Sequence, residues 1–492
     1  MAAMVEPSTV PVTAPPPVAT PPAAALELTR RSAVDQRRLI AERAVSATEL
    51  LEAHLAVVQA VNPAVNAVVG MDAEVARHRA ADVDRRLAAG DDPGLLAGLV
   101  TAHKDLTETA DFVTTYGSAV FAGNRPAADS LLVARMKEAG AVAIGKTNTP
   151  EFGAGSHSFN PVYGVTRNPF DLGRSAGGSS GGAAAALRCG MVAVADGSDA
   201  GGSLRNPAAW NNVVGFRSSS RLVPRVGPGN AWSVLSIEGP MARSVDDLAL
   251  LLRVIGRPDL RDPLSRDVPV PDPLAPADGP LRVAWSPTLG GLPVESDVAG
   301  VLQAFVGQVE MGLGWRVAED EPSFDGADEV FLAIRAFAFA AGIGEGLGDE
   351  RLAHVKETVR GEVARGRAMT AMEVARAQTR AAELWRRACT FFERYDVLIG
   401  PVTQISPFPV SQEWPTEVAG QPINHYIDWM LSNCRISAFG LPALSLPAGF
   451  TDAGLPVGAQ IIGPPHGDLA VLRAAKALEA ATNYGSRWPL NQ

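Results

Sequence analysis

At 492 residues, 47% hydrophobic and 20% charged, the chain can bury a large core, and its length alone permits more than one domain. Its net charge of −10, with the arginine pairs Arg37-Arg38, Arg85-Arg86 and Arg386-Arg387 scattered along the chain, offers phosphates no positive field and argues against a nucleic-acid partner. The three cysteines, Cys189, Cys389 and Cys434, are far apart and form no C-x-x-C pair, and the seven histidines stand isolated, which argues against a disulfide framework and against a sequence-local metal site.

The first 25 residues carry Pro7, Pro11, Pro15, Pro16, Pro17, Pro21 and Pro22 with neither a basic start nor an apolar run. They read as a disordered tail, residues 1–25, ahead of one domain over 26–492. Reduced thiols and the lack of a leader pattern point to a cytoplasmic location. From Ser46 the pattern SATELLEAHLAVVQA opens on an N-cap with Glu49 three residues on and predicts a helix. A second helix is predicted over Ala73 to Ala89, and GLLAGLVTAHKD at 94–105 reads as an apolar strand that ends at Lys104.

A helix over Ser130 to Ala139, a strand AVAIG at 141–145, a helix from Ala183 and a strand MVAVA at 191–195 then alternate. That alternation predicts an α/β fold, a mixed and mostly parallel central sheet with helices on both faces. Seven prolines between Pro258 and Pro280 mark a long surface loop over about 256–280 rather than a domain linker, and LRVAW from Leu281 resumes a strand. Arg335 interrupts the apolar run from Val330 to Ala341, so no segment is expected to span a bilayer. The aromatic residues Phe337, Phe339, Trp385, Trp414, Tyr426 and Trp429 suggest an apolar substrate pocket, although core packing is the commoner role of aromatics so spaced.

Three motifs invite a functional reading. GAVAIGKT at 140–147 matches a phosphate-loop pattern, yet AVAI is a buried strand where such a loop needs flexible turn-formers, so nucleotide binding is not expected. Gly178-Ser179-Ser180-Gly181-Gly182 matches a nucleophile elbow centred on Ser180, but the residues before it, NPFDLGRSAG, are loop-like where the elbow requires a strand. The third constellation joins GRSAGGSSGGAAAA at 173–186 to ADGSDAGGSLRNPAAW at 195–210. Its glycines permit close backbone approach around Ser179 and let N–H groups turn inward before Ser203. Either block alone reads as an ordinary glycine-rich loop; the two together, with Lys104 on a strand end upstream, read as a site.

This constellation resembles the amidase signature hydrolases. Lys104 in AHKD resembles the family's lysine base, Ser179 in GGSSGG its relay serine, and Ser203 in DAGGS its acyl-enzyme nucleophile. The resemblance continues through GKTNTPEFGAGS at 145–156, YDVLIGPVT at 395–403 and GLPALSLPAGFTDAGLPVGAQIIG at 440–463, and is weakest from about 256 to 390. Ala200, Asn206 and His103 depart from the family's more usual residues.

The resemblance implies a cis peptide before Ser179, an oxyanion hole built from the backbone N–H groups of Ala200, Gly201, Gly202 and Ser203, and no cofactor. Asp199 and Arg205 are expected to brace the loop, and Asp105 to oppose the loss of charge at Lys104. The implied activity is hydrolysis of the C–N bond of a small, apolar or aryl amide, by a monomer or homodimer without a membrane partner. A carbamate or ester hydrolase with the same three residues, and the glutaminase component of a transamidation complex, are the alternatives.

Overall fold

A computed structural model describes residues 9–227 and 229–490. The helices begin where the sequence places their caps. Ser46 accepts the Glu49 N–H and Glu49 returns the bond, opening Ala47–Val65; Asp72 and Ser130 cap Ala73–Ala89 and Leu131–Glu138. Such caps satisfy N–H groups that a helix start otherwise leaves without partners.

The central sheet has eight strands in the order Arg316–Glu319, Arg282–Trp285, Val397–Pro401, Pro456–Ile462, Ala443–Phe450, Val214–Arg217, Ile237–Ala242, Val194–Asp199. It is mixed, as expected, but not mostly parallel: among the described residues only the pairs that Arg282–Trp285 makes with its two neighbours are parallel, and the others are antiparallel. The reason is connection length. Ala443–Phe450 and Pro456–Ile462 are joined by a short turn and pair as a hairpin, where parallel neighbours need a long crossover. Helices Val245–Ile255, Ser296–Leu313 and Asp468–Thr482 bury their apolar stripes against one face. A smaller three-stranded sheet, ordered Val68–Val69, Val142–Thr147, Val100–Lys104, abuts the Val194–Asp199 edge, where the Ala193 N–H donates to Val100 O at 2.8 Å.

Three expectations are revised. The strand foreseen at 191–195 starts later, at Val194, and runs to Asp199, which carries Asp199 to the strand's end. The tail is not wholly disordered: residues 1–8 lie outside the described residues, but residues 9–22 form an extended strap. In it, Val10 is buried and donates its N–H to Ser411 O at 2.9 Å, and Arg167 donates to Thr13 O. By length and composition the helical stretch Ala327–Leu352 could cross a membrane, so Arg335 does not exclude that on sequence grounds. In the folded chain the stretch packs on helices Glu357–Ala368, Ala371–Phe392 and Leu431–Phe439, and Arg335 is buried with Tyr426 and Glu362. The proline-rich segment is a loop lying on the body, tied by Ala277 N–H to Arg473 O at 3.0 Å.

Candidate active site

Lys104, Ser179 and Ser203 come together at the junction of the two sheets. Strand Val100–Lys104 delivers the lysine, the turn before helix Gly181–Arg188 delivers Ser179, and the turn after Val194–Asp199 delivers Ser203. Lys104 Nζ donates to Ser179 Oγ at 2.7 Å, to Ser180 Oγ at 2.8 Å and to Ser198 Oγ at 3.0 Å. The ammonium is fully buried, and that burial pushes its pKa down to about 7 against the opposing pull of Asp199 and Asp196. A lysine so placed can be neutral near neutral pH and accept a proton.

The Gly178-Ser179 peptide is cis. The Ser180 N–H donates to Ser203 O at 3.2 Å, tying the two motif turns together. Ser203 is 9 % exposed against 2 % for Ser179 and 0 % for Lys104, so it is the most exposed of the three. No hydrogen bond joins the Ser179 and Ser203 hydroxyls in this arrangement.

Asp199 organises the Ser203 turn. Its carboxylate accepts the N–H groups of Gly202 at 2.9 Å and Leu204 at 3.1 Å and pairs with Arg205 at 2.9 Å and Arg217 at 3.3 Å. Burial pushes the carboxyl's pKa up, but the two guanidinium groups prevail and hold it well below the usual carboxylate range. Gly202 sits at φ +111°, and a β-carbon there would lie 2.7 Å from Asn433 Cβ; only glycine takes this bend without strain. The expected four-donor oxyanion hole is corrected on one point, since the Gly202 N–H already serves Asp199. The N–H groups of Ala200, Gly201 and Ser203 make no hydrogen bond among the described residues.

Asp105 does not oppose Lys104: it accepts the Thr115 N–H at 3.0 Å and the Thr115 hydroxyl. Asn206, an unusual residue in the motif, donates to Ser156 Oγ at 3.0 Å, and Ser156 donates to Gly178 O at 2.5 Å, linking the two loops. Sequence reading missed Ser180 and Ser198 as lysine partners, and Ser156, Arg217, Asn433 and Asp196 as braces. Ser180, Ser198 and Asp196 carried a signal by lying within the two motifs, and Ser156 by ending the stretch GKTNTPEFGAGS. The phosphate-loop look-alike is the buried strand Val142–Thr147, and Trp414, Tyr426 and Trp429 are buried among core residues while lining a small cavity with Ser156 and His157.

The Amidase family model matches residues 49–472. The chain belongs to the amidase family. It is 34% identical to an acylamidase of Rhodococcus erythropolis over 93% of this chain and 97% of that one. It is also 36% identical to a glutamyl-tRNA(Gln) amidotransferase component of Acidothermus cellulolyticus, over 92% of this chain and 95% of that one. Among solved structures it is similar to a bacterial aryl acylamidase of the amidase signature family, with TM-score 0.87 and 29% identity over 94% of this chain and 100% of that one. The mixed sheet flanked by helices is that of the amidase signature enzymes. This amidase is an amide-hydrolysing enzyme.

Proposed function

We propose that this amidase cleaves the C–N bond of a small apolar or aryl amide through an acyl-enzyme on Ser203, with Ser179 as proton relay and Lys104 as base. One observation carries the reading: a fully buried Lys104, its pKa near 7, donating to Ser179 Oγ at 2.7 Å, with Ser203, the most exposed of the three, on the adjoining turn. Neutral Lys104 takes the Ser179 proton while Ser179 takes that of Ser203, whose oxygen attacks the carbonyl carbon. The oxyanion faces the unpaired N–H groups of Ala200, Gly201 and Ser203, each such donor being worth about 10² to 10³ in rate. As the C–N bond breaks, the proton returns through Ser179 to the leaving amine; water then attacks the acyl group and restores Ser203.

The likeness to acylamidases supports a small acyl or aryl amide. The likeness to an amidotransferase component supports a second reading, a glutaminase that works within a complex. Amine release from a panel of anilides, primary amides and aryl carbamates, without metal or ATP and with Ser203→Ala alongside, separates them. Turnover by the unmodified chain alone supports the amidase reading and ranks amides against carbamates; release of ammonia from glutamine only when partner chains are added supports the other. Turnover surviving in Ser203→Ala refutes the nucleophile assignment.

A further inference from the structure

Successive strand residues face opposite ways, and behind Lys104 its neighbour His103 is buried against Asp196. His103 Nδ1 lies 2.7 Å from Asp196 Oδ1. The other carboxylate oxygen accepts the Lys104 N–H at 3.3 Å and the Thr107 hydroxyl at 3.0 Å. A buried carboxylate is costly unless matched in charge and hydrogen-bonded. Here both oxygens are hydrogen-bonded, but among the described residues no arginine pairs with Asp196.

Asp199, the other carboxylate whose field reaches Lys104, is paired with both Arg205 and Arg217. The charged and titratable groups facing Asp196 are His103 and Lys104 from strand Val100–Lys104, Lys146 from strand Val142–Thr147, and Glu238 from strand Ile237–Ala242. Lys146 is shared with Asp105, Asp129 and Glu108. Asp199 exerts the stronger pull on Lys104 but is bound to two arginines; Asp196 has no arginine among the described residues, and His103 is the side chain in direct contact with it.

We propose that His103 and Asp196 form a positioning pair for Lys104, anchoring its backbone and setting, through the share of Asp196's charge that His103 leaves unmatched, how firmly the lysine holds its proton. Removing the carboxylate's charge loosens that hold; removing His103 exposes more of the charge and tightens it. The inference rests on Lys104 as the base of the proposed reaction.

The test is the acidic limb of the kcat/KM pH profile, measured with an amide substrate that the unmodified enzyme turns over, together with an NMR titration of the Lys104 ammonium, which needs no turnover. In Asp196→Asn both move to lower pH by about one unit, the effect expected of one partly screened buried charge. In His103→Val both move to higher pH, and in His103→Asn, which keeps a donor toward Asp196, both return toward the unmodified profile. A merely structural pair would lower rates or stability and leave both titrations unmoved, and that result overturns the inference. If the ammonium titration moves while the kinetic limb stays still, the pair stands and the assignment of Lys104 as base fails. Should Asp196→Asn not fold, the contrast between His103→Val and His103→Asn decides.

Discussion

Replacing Lys104 by methionine removes a buried ammonium and keeps a side chain of similar length, so its effect on stability depends on pH in a calculable way. The folded chain holds the Lys104 pKa near 7, against an ordinary 10.5. Below pH 7 both folded and unfolded chains carry the proton, and the folded state bears the full cost of the buried charge. As pH rises from 7 toward 10.5 only the unfolded chain remains protonated, so stability increases and the cost fades. At about 1.36 kcal/mol per pKa unit, the cost is on the order of 4 kcal/mol at pH 7 and about 1 kcal/mol at pH 10. The substitution also strips a donor from Ser179, Ser180 and Ser198, but that loss is the same at both pH values and cancels in the difference. Urea unfolding followed by tryptophan fluorescence should show Lys104→Met gaining about 3 kcal/mol on the unmodified chain at pH 7 relative to pH 10, while turnover is lost. A stability gap that does not change between pH 7 and 10 would refute the claim that Lys104 is held near neutrality.

Gly202→Ala should lower turnover by about 10² or more, because the β-carbon meets Asn433 at 2.7 Å and displaces the donors on either side; unchanged kinetics with a folded chain would refute their role. Asp199→Asn leaves Arg205 and Arg217 buried without their carboxylate and should destabilise by about 3 to 5 kcal/mol, read as a fall in the urea midpoint. Ser179→Ala should lose far more activity than Ser180→Ala although both hydroxyls bind Lys104; the reverse order in steady-state rates would make Ser180 the relay.

Much of the fold was legible because local signals agreed with tertiary need. Ser46 with Glu49, Ser130 and the strand ending at Lys104 are set by short-range chemistry, and the structure keeps them. Strand direction was not legible, since pairing joins segments such as 214–217 and 443–445 whose separation in sequence carries no directional signal. The start of strand Val194–Asp199 was misplaced for a related reason: Met191 to Ala193 are as apolar as a strand and equally buried, but they serve as the approach to it. At the site, Lys104, Ser179 and Ser203 were visible as residue types in glycine-rich motifs. Their braces were hidden, because Asn433 and Arg217 act on the motifs from distant segments, and Asp196, though inside a motif, acts on the distant residues His103, Lys104 and Thr107. The oxyanion-hole reading overcounted for the same reason: nothing in GGS shows that the Gly202 N–H is taken by the Asp199 side chain.

The two carboxylates of strand Val194–Asp199 explain how one short segment serves both halves of the chemistry. An oxyanion is repelled by a nearby negative charge, so the carboxylate beside Ser203 must be neutralised, and Asp199 has two arginines to do this. A base, conversely, must hold a proton well enough to accept it from a serine hydroxyl, and burial alone would leave Lys104 too weak. Asp199 and Asp196 both oppose that burial, Asp196 from behind the lysine, where it accepts the Lys104 N–H. The residues sit three apart on the strand and so point to opposite faces, Asp199 bonding the N–H groups of the Ser203 turn and Asp196 the backbone N–H of Lys104. Exchanging the balance at either position, by unpairing Asp199 or neutralising Asp196, should therefore impair different steps: acylation through the loss of oxyanion donors in the first case, and the pH range of proton transfer in the second.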